Sequence, residues 1–242
     1  FNPVGGYYLS INVKDIPDVK VREAMTYAID RDAICNSVLF GTAIPNSNFL
    51  QDGLIGADDS AEQFAYDPEK AKSLLAEAGY PDGYDLRITV NTKYPTSLTI
   101  ATAVQAQMAE AGIRVEIEQV DSAAWTDMKK SGGVTCGIGN WYVDYNDPDS
   151  MLYPVSDGRV DLNSSFWHND EFKQLMIDGV QTEDTAERQQ IYAKADHILT
   201  HEEFAVAMIY NETMFYLKKP YVKDFAVTFT YRTMFNNTDI EY

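Results

Sequence analysis

The sequence predicts an α/β fold with a largely parallel sheet flanked by helices. Two observations carry this. From residue 67 to residue 141 the apolar pattern switches from helix to strand and back, the order that builds layered α/β units. The helices of that stretch also carry start and stop residues where the patterns change.

Taken in order, Tyr7 to Val13 alternates and is rich in β-formers, so it reads as a strand. Asp18 then offers an N-cap to a helix in which Val21, Ala24, Met25, Ala28 and Ile29 recur at helical spacing. Asp30 offers a second N-cap, restarting a helix through Ile34 and Val38 that Gly41 ends. Residues 42–64 are polar, dotted with Gly and Pro and aperiodic, and read as an exposed loop. Asp67 caps the next helix, Pro68 takes its first position, and Glu69 suits the positive end of its dipole. Ala71, Leu74, Leu75 and Ala78 form its apolar stripe, and Gly79 stops it.

Strands follow over Leu86–Val90 and Ile113–Val120, separated by a helix from about Leu98 to Ala111. A short helix around Ser122 to Lys130 precedes a strand from Val134 that delivers Trp141. Helices fit Glu171 to Gln181 and Thr185 to Thr200, a buried strand fits Phe204 to Tyr210, and Met214 to Leu217 reads as another strand.

The chain has 242 residues, enough for a large core, and 45% of them are hydrophobic. Acidic residues outnumber basic ones 37 to 19, a net charge of −18. Nucleic acid and anionic membrane surfaces are excluded as natural partners, because phosphates need clustered Lys and Arg. No apolar run approaches the roughly 20 residues that span a bilayer. The chain opens on Phe1-Asn2-Pro3 and reads as a piece of a longer protein or a processed form. Cys35 and Cys136 fall in helical and strand patterns, which suits two buried small hydrophobes and leaves a disulfide between them open.

The chemistry concentrates in Asn140-Trp141-Tyr142-Val143-Asp144-Tyr145-Asn146-Asp147-Pro148. At a strand mouth, Trp141, Tyr142 and Tyr145 could stack on a ligand while Asp144 offers a negative charge to a cation. The same residues also fit a turn in which Asp144 caps amides and Trp141 fills core.

Other constellations are weaker. His197 and His201 stand four apart on a helix, a spacing that can hold zinc, but no third ligand is evident. Asp144, Asn146 and Asp149 fail as a calcium loop because Pro148 falls at a ligand position. Gly137-Ile138-Gly139 lacks the third glycine of a dinucleotide fingerprint, and no nucleophile elbow or Cys–His pair is present. No catalytic residue, metal or cofactor is assigned.

Several segments agree in order and spacing with one family. They are Tyr7-Tyr8-Leu9-Ser10-Ile11-Asn12, Val21-Arg22-Glu23-Ala24, Ala28-Ile29-Asp30-Arg31, Tyr66 to Ala71, Leu74 to Tyr80, Trp141 to Pro148, Asn169-Asp170-Glu171-Phe172, and Glu187-Arg188 with Tyr192. Through them the chain resembles the C-terminal half of the family 5 extracellular solute-binding proteins, the oligopeptide- and dipeptide-binding components of ABC importers. The resemblance implies a periplasmic-binding-protein-like (type II) lobe of a clamshell receptor, non-enzymatic, monomeric and extracytoplasmic.

Residues 1–203 would form the second ligand-binding lobe, and residues 204–242 would return to a first lobe outside this chain. Partners implied are a short peptide and a membrane permease. Asp144 would hold the peptide α-amino group, Trp141 would line a side-chain pocket, and Gly139 and Asn140 would pair with the peptide main chain. Tyr142 would stand beside them, and Tyr210 would face the cleft. Some members carry an arginine shortly before the tryptophan that helps to hold a ligand carboxylate; Ile138 stands there in this chain. Relatives of similar architecture bind nickel chelates, sugars or other solutes instead. A hydrolase using paired acids or the two histidines is the rival from another class.

Overall fold

A computed structural model describes residues 4–58, 63–155, 165–228, 230, 232–235 and 237–241. Six strands form the main sheet: β1 (Gly5–Ile11), β2 (Ala43–Pro45), β3 (Tyr84–Asn91), β4 (Ile113–Val120), β5 (Cys136–Tyr142) and β6 (Val206–Glu212). Their order is β2-β6-β1-β5-β3-β4. β3 runs parallel to β4 and β5, whereas β1 is antiparallel to β5 and β6, and β2 is antiparallel to β6. β3, β4, β5 and β6 therefore share one direction, and β1 and β2 oppose them. The expected mixed α/β sheet is present. The carboxyl ends of those four strands lie along one edge, where open α/β sheets bind ligands.

The helices divide between the two faces. On one pack α1 (Val19–Tyr27), α3 (Pro68–Glu77) and α4 (Pro95–Glu110), around Leu9, Ile11, Met25, Leu75, Ile88 and Val104. On the other, α6 (Pro148–Leu152), α7 (Asp170–Gln181) and α8 (Thr185–His197) enclose Tyr8, Phe49, Leu152, Phe172, Tyr192 and Met208. Alternation along β1 sends Tyr7, Leu9 and Ile11 to the first core and Tyr8 to the second. The short α2 (Arg31–Ala33) and α5 (Ser122–Ser131) complete the helices that matter below.

Local chemistry explains the boundaries. Asp18, Asp30 and Asp67 accept from the amides of Lys20, Ala33 and Lys70, as expected of N-caps. Asp121 does the same for α5, which ends at Gly132 with φ of 81°. α4 begins at Pro95, earlier than its apolar pattern, because proline suits a first helical turn. The two cysteines are free and buried, and burial pushes the Cys35 thiol up to about 12.

Three expectations are corrected. The segment 42–64 is not an exposed loop: Asn46 to Gln51 are all buried, and β2 lies within it. Several of its polar groups find partners inside the protein, Gln51 accepting from the Gly5 amide at 2.8 Å and Asn46 donating to Asn211 at 3.0 Å, while Asn48 Oδ1 and Gln51 Nε2 are buried without one. Polarity there marks an internal network, not exposure. Met214 to Leu217 is not a strand, and Phe215 and Leu217 are exposed. The boundary expected at residue 204 cuts through this core, since β6 sits between β1 and β2 and is largely buried. The change in packing follows Glu212.

Asp196 illustrates the cost of that internal network. Its carboxylate, on α8, is buried and accepts from the Phe49 amide at 3.0 Å. Burial raises its pKa from 3.8 to about 7, against the lowering effect of the Phe49 and Leu50 amides. The folded protein thus holds a proton that the unfolded chain releases between those values. Stability from this group is complete below the unfolded pKa and is lost as pH rises through the folded one. Asp196→Asn keeps an acceptor and removes the titration. Urea unfolding should show the variant gaining on the parent between pH 5 and 7 by up to about 1.4 kcal/mol per pH unit. A difference independent of pH would contradict this.

Candidate functional site

The site begins where two parallel strands part. β3 and β5 are paired only through Ile88–Cys136 and Thr89–Gly137. Beyond that point β3 continues to Asn91 and β5 to Tyr142 without a ladder between them. The far edge of β5 stays paired to β1 through Gly5–Tyr142, so β5 is held straight while its near edge is open. A cavity of about 310 Å³ fills the gap, with Ile138, Gly139, Asn140 and Trp141 along its β5 side. Trp125 and Lys129 of α5 and Lys93 after β3 form other parts of the lining.

The glycines here make room. A Cβ on Gly137 would meet the Trp125 ring at 2.7 Å and Val134 at 3.1 Å, so glycine lets α5 close on the strand. A Cβ on Gly139 would lie 3.0 Å from the Tyr8 ring, which faces it from β1 and lines the cavity. Gly137-Ile138-Gly139 is therefore a packing device, not part of a nucleotide fingerprint.

After β5 the chain is pinned by Ser150, a buried residue that the sequence did not single out. Its carbonyl accepts from Trp141 Nε1 at 2.8 Å and its Oγ accepts from the Asp144 amide at 2.9 Å. Trp141 is thus half-buried and fixed in orientation. Tyr142 donates its hydroxyl to Glu212 at the end of β6. Tyr145 donates to Asp149 at 2.8 Å, and burial, foremost, with that carboxylate raises the phenol to about 12.

Asp147 takes the role open to Asp144. It caps α6 through the Asp149 amide and receives both contacts from Arg188 Nη2, at 2.9 and 3.0 Å. Asp144 itself is exposed, and among the described residues its carboxylate accepts no hydrogen bond and joins no ion pair. The turn-capping alternative for Asp144 is not realised.

The structure brings Gly139, Asn140 and Trp141 to the cavity, and sets Tyr142 and Asp144 beyond its rim. Tyr210 is elsewhere. The β1–β6 register slips between Tyr7 and Tyr8, pairing them with Tyr210 and Met208 and leaving Ile209 extra. That bulge turns Tyr210 onto the Tyr7 side, where the rings stack at 5.2 Å and Tyr210 is 2% exposed. A bulge leaves no trace in an apolar run, so the expectation that Tyr210 faces the cleft could not anticipate it.

His197 and His201 stack at 5.0 Å, with Glu202 3.6 Å from His197. Among the described residues no group of three or more His, Cys, Asp or Glu is placed to hold a metal ion. Nor is any helix long and apolar enough to cross a membrane.

Comparison with known proteins shows the family and the fold. Residues 1–162 match the bacterial extracellular solute-binding proteins, family 5 middle. The dipeptide-binding protein of Escherichia coli K12 is 30% identical over 97% of this chain and 45% of its own length. Heme-binding protein A of Haemophilus influenzae is 30% identical over 90% of this chain and 41% of its own. Among solved structures, the periplasmic binding protein DppA from Helicobacter pylori in complex with peptide STSA superposes with a TM-score of 0.78. It is 26% identical and covers 88% of this chain and 43% of its own. The chain thus spans less than half the length of these relatives. The family model over two thirds of the chain and relatives at 30% identity show the family: the chain belongs to the family 5 bacterial extracellular solute-binding proteins.

Proposed function

We propose that this chain is a ligand-binding lobe of an extracytoplasmic receptor that captures short peptides for an ABC importer, with Asp144 holding the peptide α-amino group. The observation that carries this reading is the exposed Asp144 carboxylate beside a strand whose near edge is open from Ile138 to Tyr142. A peptide can lie along such an edge as an added strand, its main chain paired with Gly139 and Asn140 and its side chains meeting Trp141. Main-chain pairing accepts any sequence, while an ammonium placed against Asp144 fixes the register.

The first lobe, outside this chain, would close over the cavity. Desolvation on closure strengthens a charge pair that is weak when exposed. Phe215, Leu217 and Phe235, exposed after β6, would pack on that first lobe.

Calorimetric titration of the full-length protein with trialanine and N-acetyl-trialanine tests the reading. Acetylation should weaken binding by at least about tenfold, the lower end for loss of one partner of a desolvated charge pair. Equal affinities would remove the role given to Asp144. A haem or sugar ligand with no peptide binding would point to another solute on the same fold.

A further inference from the structure

Arg188 of α8 is not among the residues that line the cavity, yet it stands at the junction of two helix ends that lead there. Its Nε donates at 2.8 Å to the Gly179 carbonyl, one of the last four of α7, which have no partner within the helix. Its Nη2 donates to both oxygens of Asp147, the N-cap of α6. A cation at the closing end of one helix and an anion at the opening end of the next both suit the helix dipoles. The two side chains are only 17% and 26% exposed, so solvent screens this pair less than a fully exposed one.

The guanidinium is itself held in place. It lies over the Tyr192 ring at 5.3 Å, and that ring is fully buried. Gly179 makes the arrangement possible, since a Cβ there would meet the Tyr192 ring at 2.5 Å. Glycine is a poor residue inside a helix, and here it makes room for the ring that supports Arg188.

From Asp147 the path to the ligand side is short. α6 has five residues, too few to hold a helix without outside support. Met151 and Leu152 anchor its far end in the core, and Asp147 fixes its start. Between them Ser150 holds the Trp141 indole and the Asp144 amide. The Asp147 amide also donates to the Tyr145 carbonyl at 2.9 Å, which closes the turn after Asp144.

Resting on the peptide reading above, we infer that Arg188 is a positioning residue: through Asp147 and Ser150 it sets where the Asp144 carboxylate and the Trp141 ring stand, without touching the ligand. A binding group must be held within about 0.5 Å of its productive place to give its full effect. Loss of Arg188 frees the start of α6, and with it the Asp144 segment. The main-chain contacts of Gly139 and Asn140 suffer less, because the ladder to β1 holds β5 independently. The charge contact with the α-amino group is therefore lost selectively.

The test uses the full-length protein, with Arg188→Met and Asp147→Asn beside the parent. Each substitution should weaken binding of trialanine by about tenfold or more and of N-acetyl-trialanine by less than about threefold. A general loosening of the fold would weaken both alike. In an Asp144→Asn background, Arg188→Met should cost trialanine less than about twofold more. Should Arg188→Met fail to fold, Asp147→Asn carries the same comparison, since it keeps a capping acceptor and the Arg188–Gly179 bond.

Nitrogen–proton spectra of the ligand-free protein give a readout that needs no peptide. The Trp141 Nε1 and Asp144 amide resonances should shift in both variants, while those of α4 stay in place. The inference is overturned if both ligands weaken equally, if the Asp144→Asn background leaves the effect of Arg188→Met intact, or if the Trp141 and Asp144 resonances do not move. If acetylation makes no difference in the parent, the peptide reading fails instead, and the resonances alone decide the role of Arg188.

Discussion

Replacing Arg31 with alanine is expected to destabilise the fold by about 3–5 kcal/mol, a large part of a typical domain's stability. The guanidinium is buried at 5% exposure and donates to four backbone carbonyls. Met208 accepts at 2.8 Å, Thr26 at 3.2 Å, Ile29 at 3.3 Å and Phe64 at 3.4 Å. These carbonyls belong to β6, the end of α1, the turn after it and the approach to α3, so one side chain ties four segments together. Each bond from a charged donor is worth about 1.5–3 kcal/mol, and each acceptor left buried without a partner costs about 1–3 kcal/mol.

Against this stands the desolvation of the cation, which lowers the Arg31 pKa to about 10, and Nη2 is buried without a partner. The offset keeps the net effect below the sum of four bonds. Arg31→Lys should fall between parent and alanine, because a point charge cannot reproduce the planar fork. Urea midpoints at constant m-value measure both. A midpoint shift equivalent to less than about 1 kcal/mol for the alanine variant would show that the carbonyls find water instead.

Arg31 also shows what a sequence can and cannot disclose. Its place after Asp30 is legible, since that aspartate caps α2 as expected. Its burial is not, because a charged residue at a helix start looks solvated and its acceptors come from positions as distant as Met208. The same holds for Ser150, whose two bonds to the Trp141 segment are fixed by tertiary placement. By contrast, α1 and α3 follow from apolar spacing and caps, and the strand ending near Trp141 follows from its β-rich run. The segment 42–64 misleads for a physical reason: polar side chains buried against backbone groups and one another have the composition of an exposed loop. That Trp141, Asn140 and Gly139 end a strand is legible in the sequence, and they line the cavity there, whereas a one-residue bulge turns Tyr210 to the other side of the sheet.

The second large effect concerns binding. Asp144→Asn removes the charge and keeps the shape and an acceptor. Since the carboxylate has no partner among the described residues, folding stability should change by less than about 0.5 kcal/mol. Affinity for a peptide with a free N-terminus should fall by about 30- to 1,000-fold, the equivalent of about 2–4 kcal/mol for a charge pair desolvated by closure. An exposed pair that stayed wet would lose only about 1 kcal/mol or less, so the magnitude itself reports whether the site closes.

A double-mutant cycle tests the central claim most directly, pairing Asp144→Asn on the full-length protein with N-acetylation on trialanine. If Asp144 holds the α-amino group, either change alone weakens binding and the second adds little, giving a coupling energy of about 2 kcal/mol or more. If the two losses simply add, with coupling below about 0.5 kcal/mol, the ammonium is held by some other group and the assignment of Asp144 is wrong.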